Sequence, residues 1–559
     1  MNYARTRIPH SPPVTRHLLL VVAALAAATA SDAARADVSV SKIFGSNMVL
    51  QRDRPVPVWG KAAPGEEVRV AFAGQELAAK ADEAGDWQVA LKPLAVSKEG
   101  RDLTVAGPSN SNVFTNVLVG DVWLCSGQSN MEMSFGWGIY EGDKFKAESA
   151  QFPTIRRMKI KKVTKPGPEF YDVPVEHGWA VASKAFPNVT ATGYFFARKL
   201  TQELDIPIGL IDDSWSGCRI EPFISSEGFH LVPGLRDLAS KLDAQDPKTE
   251  AGKAMITKMI ADTRKWADDA EALLAQGRKP SNNPPQMPSV WGITGQYNWM
   301  IAPIVRFPIK GAIWYQGCSN GSEGDEYIDK TEALVLGWRK AWGYDFPFYW
   351  VQLASYTAAT DDPEGGNGYA RIRDAQRKAI ARIPQTGMAV AIDVGNPTDI
   401  HPKAKLFVGE RLALWALAKD YGKDIVCSGP LVKGATVEAD GLDGDAPRVR
   451  VAFDYVGSGL MVGKKEWKNN DPVVEDAEAA GKLKGFALKG ADGKWHWADA
   501  VIDGQNVLVS SPSVKEPAAV RYAFRANPLG KCNLYNKEGL PASPFHLALP
   551  KAAPAAPAE

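Results

Sequence analysis

Long apolar runs, an excess of charge of one sign, and phosphate- or metal-binding signatures are all missing from this 559-residue chain, and each absence removes a class of function. Beyond residue 36 nothing approaches the ~20 unbroken apolar residues of a transmembrane helix, so no membrane partner is expected once the N-terminal segment is removed. The first 36 residues carry four bases and one acid, which leaves 61 bases against 63 acids in the remainder. So balanced a chain offers no general electrostatic footprint for nucleic acid. The basic block at 156–165 alternates with Met158, Ile160 and Val163, which predicts a half-buried strand with a solvated basic face. There is no Gly-x-x-x-x-Gly-Lys loop, no His-Glu-x-x-His helix, no Cys-x-x-Cys pair, no EF-hand loop and no dinucleotide fingerprint, so neither cofactor nor metal is expected. Histidine is scarce too. Of seven, His10 and His17 fall in the N-terminal segment, leaving His177, His230, His401, His496 and His546 as candidate imidazole bases.

That N-terminal segment has the order of a secretory signal: Arg5, Arg7, Arg16 and His17, then an apolar run over 18–30, then Ala34-Arg35-Ala36 as a small-x-small cleavage site. It predicts residues 1–36 as a signal peptide and a mature chain beginning near Asp37 in the periplasm or outside the cell. The five cysteines can then pair, with one left over. Residues 37–116 carry short β runs such as Val56-Pro-Val-Trp59 between Gly- and Asn-rich turns, predicting a small β domain. Residues 117–426 alternate strand-like and helix-like runs, predicting an α/β domain with a mainly parallel sheet. Within it, 242–288 reads as an insertion, one exposed helix over 242–276 followed by a Pro/Asn loop. Residues 427–548 return to short β runs, and 549–559 form an Ala/Pro tail predicted to be disordered.

The strongest local pattern is Gly120-Asp-Val-Trp-Leu-Cys-Ser-Gly-Gln-Ser-Asn-Met131, an apolar strand entering a tight turn at Ser129. A serine at a strand C-terminus and helix N-terminus lies where ligands collect in open α/β sheets and where backbone N–H groups favour an oxyanion. A helix-capping role is the simpler reading of the same serine. Far downstream, 391–402 holds a strand end and a loop with Asp399 and His401. An imidazole can take the hydroxyl proton while a carboxylate fixes its tautomer, and Asp-x-His lets one loop supply both. Asp393 is a rival orienter.

In order and spacing, 120–133, 208–221, Ile313-Trp-Tyr-Gln-Gly-Cys-Ser-Asn320, Asp399-Ile-His-Pro402 and Asn533-Leu-Tyr-Asn-Lys-Glu-Gly-Leu-Pro-Ala-Ser-Pro-Phe545 resemble the sialate O-acetylesterase family of SGNH hydrolases. The resemblance implies an SGNH-type sheet, with Ser129 as nucleophile, His401 as base and Asp399 as its orienter. It implies hydrolysis of an acetyl ester on a sugar through an acyl-enzyme. Ser129 and Gly217 would supply backbone oxyanion donors, with a side-chain amide from Gln316 or Asn320. Gln128, Trp215, Arg219 and Trp314 are the substrate-contact candidates; Trp291 and Trp299 also flank predicted site loops, whereas Trp59, Trp87, Trp338, Trp342 and Trp415 fall in core patterns. The chain departs from the family pattern at Ser216, Cys218 and Cys318. Two cysteines on loops expected to face each other predict a Cys218–Cys318 disulfide, with Cys427–Cys532 as a second and Cys125 buried and free. The substrate implied is an acetylated oligosaccharide, either 9-O-acetyl sialic acid or an acetylated plant polysaccharide such as xyloglucan. A catalytically silent carbohydrate-binding protein is the alternative.

Overall fold

A computed structural model describes residues 37–164, 169–183, 190–280, 282–285, 293–366, 368–438, 447–479 and 482–550. The signal segment 1–36, Trp291 and residues 551–559 lie outside them. Two compact units are present. The smaller comprises residues 37–40, 58–89 and 104–112 of the described chain. Its hairpin pairs Glu67–Phe72 with Gln75–Lys80, and alternation turns Val68, Val70 and Phe72 inward while the intervening residues face out.

The larger unit is built on a seven-stranded path. Its strands are β1 (Ser111–Gly127), β2 (Ile155–Ile160), β3 (Val175–Val181), β4 (Ile208–Ser214), β5 (Gly311–Tyr315), β6 (Phe348–Gln352) and β7 (Thr386–Val390). They lie in the order β3-β2-β4-β1-β5-β6-β7, all neighbours parallel except the β3–β2 edge. Every residue of β4, β5 and β6 is buried, as expected of parallel strands covered on both faces. The unit's helices include α1 (Ser129–Glu132), α2 (Ala191–Leu204), α3 (Glu250–Ala275), α4 (Glu326–Trp342), α5 (Tyr369–Arg382) and α6 (Lys405–Lys419). Because the chain runs from β1 to β2, β3 and β4 on one side and then crosses to β5 on the other, a crevice opens at the carboxyl end of β1.

Three local expectations need correction. The basic strand has no solvated face: β2 is buried along its whole length, and Arg156 spends its guanidinium on the Pro153 and Asn47 carbonyls. Burial lowers Arg156 to about 10. The exposed helix of the insertion starts at Glu250 and not at 242, because Thr249 caps α3 by accepting from Gly252 N at 2.9 Å, while residues 242–243 end the preceding helix, Arg236–Asp243. At the other end, Leu549 is buried in the C-terminal core, so that domain extends past residue 548.

Among the described residues the C-terminal region forms two four-stranded antiparallel sheets and a three-stranded one, the last joining Val474–Glu475, Leu460–Lys464 and Leu534–Asn536. Of the four-stranded sheets, the first joins Leu431–Glu438, Arg448–Asp454, Asn506–Ser510 and Asp499–Asp503; the second joins Trp495–Trp497, Phe486–Lys489, Ala519–Tyr522 and Phe545–Ala548. Val449, Val451, Val507 and Val509 from the first share a core with Phe486, Val520, Tyr522 and Phe545 from the second. Arg373 of α5 ties this region to the loop after β6 of the parallel sheet. Fully buried, it donates to the Leu353, Ala354, Arg525 and Ala526 carbonyls at 2.7–2.8 Å. Arg373→Met would strand four carbonyls at once, so urea unfolding should show a stability loss of about 3 kcal/mol or more; an unchanged midpoint would contradict the clamp.

Candidate active site

At the end of β1, Gly127 pairs with Ser214 of β4 on one side and Tyr315 of β5 on the other, so three strands finish at one level. Gly127 has φ +132, and a Cβ there would fall 2.4 Å from the Tyr315 carbonyl, so only glycine lets the strands approach. The next residues reach sideways. Trp215 N donates to Gly127 O at 2.9 Å and Gln128 N to Tyr315 O at 3.0 Å, which fixes the turn that presents Ser129 at the start of α1.

Across the crevice, the loop after β7 brings in His401. Its Nε2 lies 2.9 Å from Ser129 Oγ, and its Nδ1 lies 3.0 Å from Asp399 Oδ1, which also accepts the His401 backbone N–H at 3.0 Å. With Nδ1–H given to the carboxylate, Nε2 is left to accept from the serine hydroxyl. The rival Asp393 is buried and held by Arg411 through bonds of 2.6 and 2.8 Å, so it has no oxygen to offer the imidazole.

Among the described residues the N–H groups of Ser129 and Gly217 have no protein acceptor. Gly217 has φ +75 with open space where a Cβ would stand, so the left-handed backbone, not crowding, favours glycine there. Glu132 holds this loop. Buried at the end of α1, it accepts from Ser216 N at 2.9 Å and Ser216 Oγ at 2.5 Å, and it pairs with Lys162 and with Lys159. Burial alone would raise its pKa; the Lys162 and Ser216 donors outweigh it and lower it.

Gln316 and Asn320 do not supply the expected side-chain oxyanion donor. Gln316 Nε2 spends its hydrogens on Cys218 O at 3.1 Å and Asn320 Oδ1 at 2.9 Å, and its Oε1 accepts from Tyr327 OH at 2.6 Å. Asn320 Nδ2 donates to Glu221 and Glu323. Lys330 bonds Glu221 and Glu323 at 2.8 Å each, and Arg219 closes the same cluster. Burial would raise Glu221, yet the bonds from Arg219 and Lys330 hold it at about 2. The two amides therefore brace the loops from beneath.

The substrate-contact candidates separate in the same way. Trp314 is a core residue, packed edge-on against Phe223 and Trp338. Gln128 is buried and accepts from Gly317 N at 3.0 Å, so it positions the β5 loop. Arg219 is exposed but forked into Glu221 and Glu323. Trp215 is half-buried, and Trp299 stacks on Phe170 at 4.3 Å. Trp59, Trp87, Trp338, Trp342 and Trp415 are all buried.

Sequence reasoning passed over Trp137, which is 43% exposed with its ring 6.1 Å from that of His401. Its signal was position alone, eight residues after Ser129 in a Gly-flanked turn. Glu132, Asn130 and Lys405 were also passed over. Asn130 Nδ2 donates to Ile400 O at 3.0 Å, and Lys405 Nζ donates to Asn130 Oδ1 at 2.5 Å.

Both predicted disulfides are absent: all five cysteines are thiols. The Cys218 thiol accepts from Gln296 at 3.2 Å, whereas the Cys318 thiol is engaged by Tyr369 and Asn130, so each is held by its own neighbours. Cys532 is likewise bonded to Tyr522, while Cys427 is buried elsewhere. Burial pushes Cys218 up to about 12 and Cys318 up to about 11, away from thiolate reactivity. Thiol titration of the denatured chain without reductant should therefore find five free groups; three or fewer would restore a disulfide.

A profile described as "Carbohydrate esterase, sialic acid-specific acetylesterase" matches residues 285–418. The chain is 30% identical over 430 residues to the sialate O-acetylesterase of Mus musculus, covering 69% of this chain and 74% of that one. It is 28% identical over 459 residues to that of Rattus norvegicus, covering 75% and 80%. A crystal structure of a carbohydrate acetylesterase from Xanthomonas citri superposes with a TM-score of 0.72 at 33% identity, covering 91% of this chain and 99% of that one.

Proposed function

The chain belongs to the sialic acid-specific acetylesterase family of carbohydrate esterases, and on that premise we propose that it is a serine esterase removing O-acetyl groups from a neutral glycan such as acetylated xyloglucan. The observation that carries this reading is the continuous Ser129–His401–Asp399 hydrogen-bonded line at the sheet's switch point. Ser129 Oγ attacks the acetyl carbonyl carbon while His401 Nε2 takes the hydroxyl proton. The Ser129 and Gly217 N–H groups receive the charge developing on the carbonyl oxygen. Collapse breaks the ester C–O bond, the sugar hydroxyl leaves with the proton from His401, and an acetyl-serine results. Water, deprotonated by the same imidazole, then releases acetate and restores Ser129.

Two features support a neutral sugar over a sialic acid. Arg219, the substrate-contact candidate able to meet a carboxylate, is already paired with Glu221 and Glu323. Trp137 offers an exposed aromatic face beside His401, suited to the apolar face of a pyranose ring. The order of charges and apolar residues over 1–36 supports export to the periplasm or beyond.

Acetate release should be followed from acetylated xyloglucan oligosaccharide and from 9-O-acetyl sialic acid. Ser129→Ala should cut turnover by about 10³-fold or more, and wild-type activity should fall on acidification because a protonated imidazole cannot accept the serine proton. Equal rates for the two proteins would dispose of the mechanism, release from the sialic acid alone would overturn the neutral-glycan reading, and no release from either would favour a binding protein. Trp137→Ala should lower kcat/KM on the oligosaccharide by about 2- to 10-fold, with a smaller loss on ethyl acetate, which has no ring to stack. Equal losses on both esters would remove Trp137 from sugar recognition.

A further inference from the structure

Lys405 opens α6 with its side chain fully buried, and among the described residues it has no carboxylate partner within ion-pair distance. Its Nζ donates to Asn130 Oδ1 and lies 4.9 Å from the centroid of the Tyr315 ring. This placement is unfavourable on two counts. A buried ammonium loses its hydration, and a cation in the first turn of a helix meets the positive end of the helix dipole. Burial lowers Lys405 to about 7 despite the opposing influence of Cys318 and Asp399. A lysine so costly to fold has little to offer stability.

What it does contact is the residue beside the nucleophile. Asn130 has one amide oxygen and one amide nitrogen to place, and Lys405 claims the oxygen by donating to it. The nitrogen is thereby turned to the Ile400 carbonyl at 3.0 Å. That carbonyl belongs to the peptide group whose N–H, on His401, is accepted by Asp399. The peptide carrying the imidazole is thus held at both ends, by Asn130 from the serine turn and by Asp399 from its own loop.

Resting on the assignment of Ser129 and His401 above, we propose that Lys405 and Asn130 are positioning residues that set the His401 imidazole against Ser129 Oγ across the crevice. Neither touches the reacting atoms. They act through the orientation of one amide, and that makes them separable from a role in folding.

The test uses Asn130→Asp and Lys405→Met in the full-length enzyme, with kcat and KM on an acetylated oligosaccharide, burst amplitude with p-nitrophenyl acetate to count competent sites, and urea midpoints. Asn130→Asp keeps an acceptor for Lys405 and gives it an anionic partner, yet it removes the N–H that holds Ile400 O. It should fold at least as stably as wild type while kcat falls about 10- to 100-fold and KM changes less than about twofold. Lys405→Met removes the buried charge and frees the Asn130 amide to turn, with the same pattern: stability kept or raised, kcat lowered. The double variant should lose no more than the worse single one, since both act through one bond. Wild-type kcat in a folded Asn130→Asp, or losses that merely track the fraction of competent sites, would overturn the proposal. A fully active Ser129→Ala would instead overturn the underlying assignment, so the two failures are told apart.

Discussion

The site depends on one constraint in the sheet: β4, β1 and β5 end at the same level, with Gly127 paired to Ser214 and Tyr315. Because no Cβ intervenes at Gly127, the backbone bonds from Trp215 and Gln128 close over the strand ends and turn the chain into α1. Ser129, the Gly217 loop and the β5 loop all take their positions from that junction. A sheet that reversed direction elsewhere would leave the serine on an ordinary covered strand.

Around this junction the fold spends polar groups in buried clusters. Glu132 with Lys159 and Lys162 holds Ser216 by its backbone N–H and hydroxyl, and Glu221 with Lys330, Glu323 and Arg219 holds Asn320 and, through it, Gln316. Glu132 and Glu221 stay ionised because paired donors outweigh the cost of burial. Such clusters are poor sources of net stability but good ones of fixed geometry, because each oxygen has a limited set of partners it can satisfy. The loop that carries the Gly217 N–H is held from behind in this way.

The parts legible in the sequence were those set by local pattern. The β-α alternation gave the parallel sheet, the strand-to-turn motif marked Ser129, and Asp-x-His placed two groups on one loop, which the structure joins to the serine across 272 residues. The parts that were not legible depend on partners distant in sequence. Nothing near Asp393 reveals that Arg411 takes it, nothing near Gln316 and Asn320 reveals that Tyr327, Glu221 and Glu323 use up their amides, and alternation along β2 cannot tell a solvated lysine from one reaching Glu132. The cysteine prediction failed for a related reason. Facing loops do not bring thiols together when Gln296 and Tyr369 each hold one in place. Trp137 escaped notice because a short turn has no periodicity to mark an exposed aromatic.

The central claim is that Ser129 carries the acetyl group in the course of turnover, with His401 as the base that makes it possible. Rapid quench of the enzyme with acetylated substrate, followed by peptide mass analysis, tests this directly. The account predicts one acetyl mass on the peptide containing Ser129, accumulating with wild type and lost in both Ser129→Ala and His401→Ala. An acetyl group on any other residue during turnover, or equal labelling of Ser129 with and without His401, would contradict it.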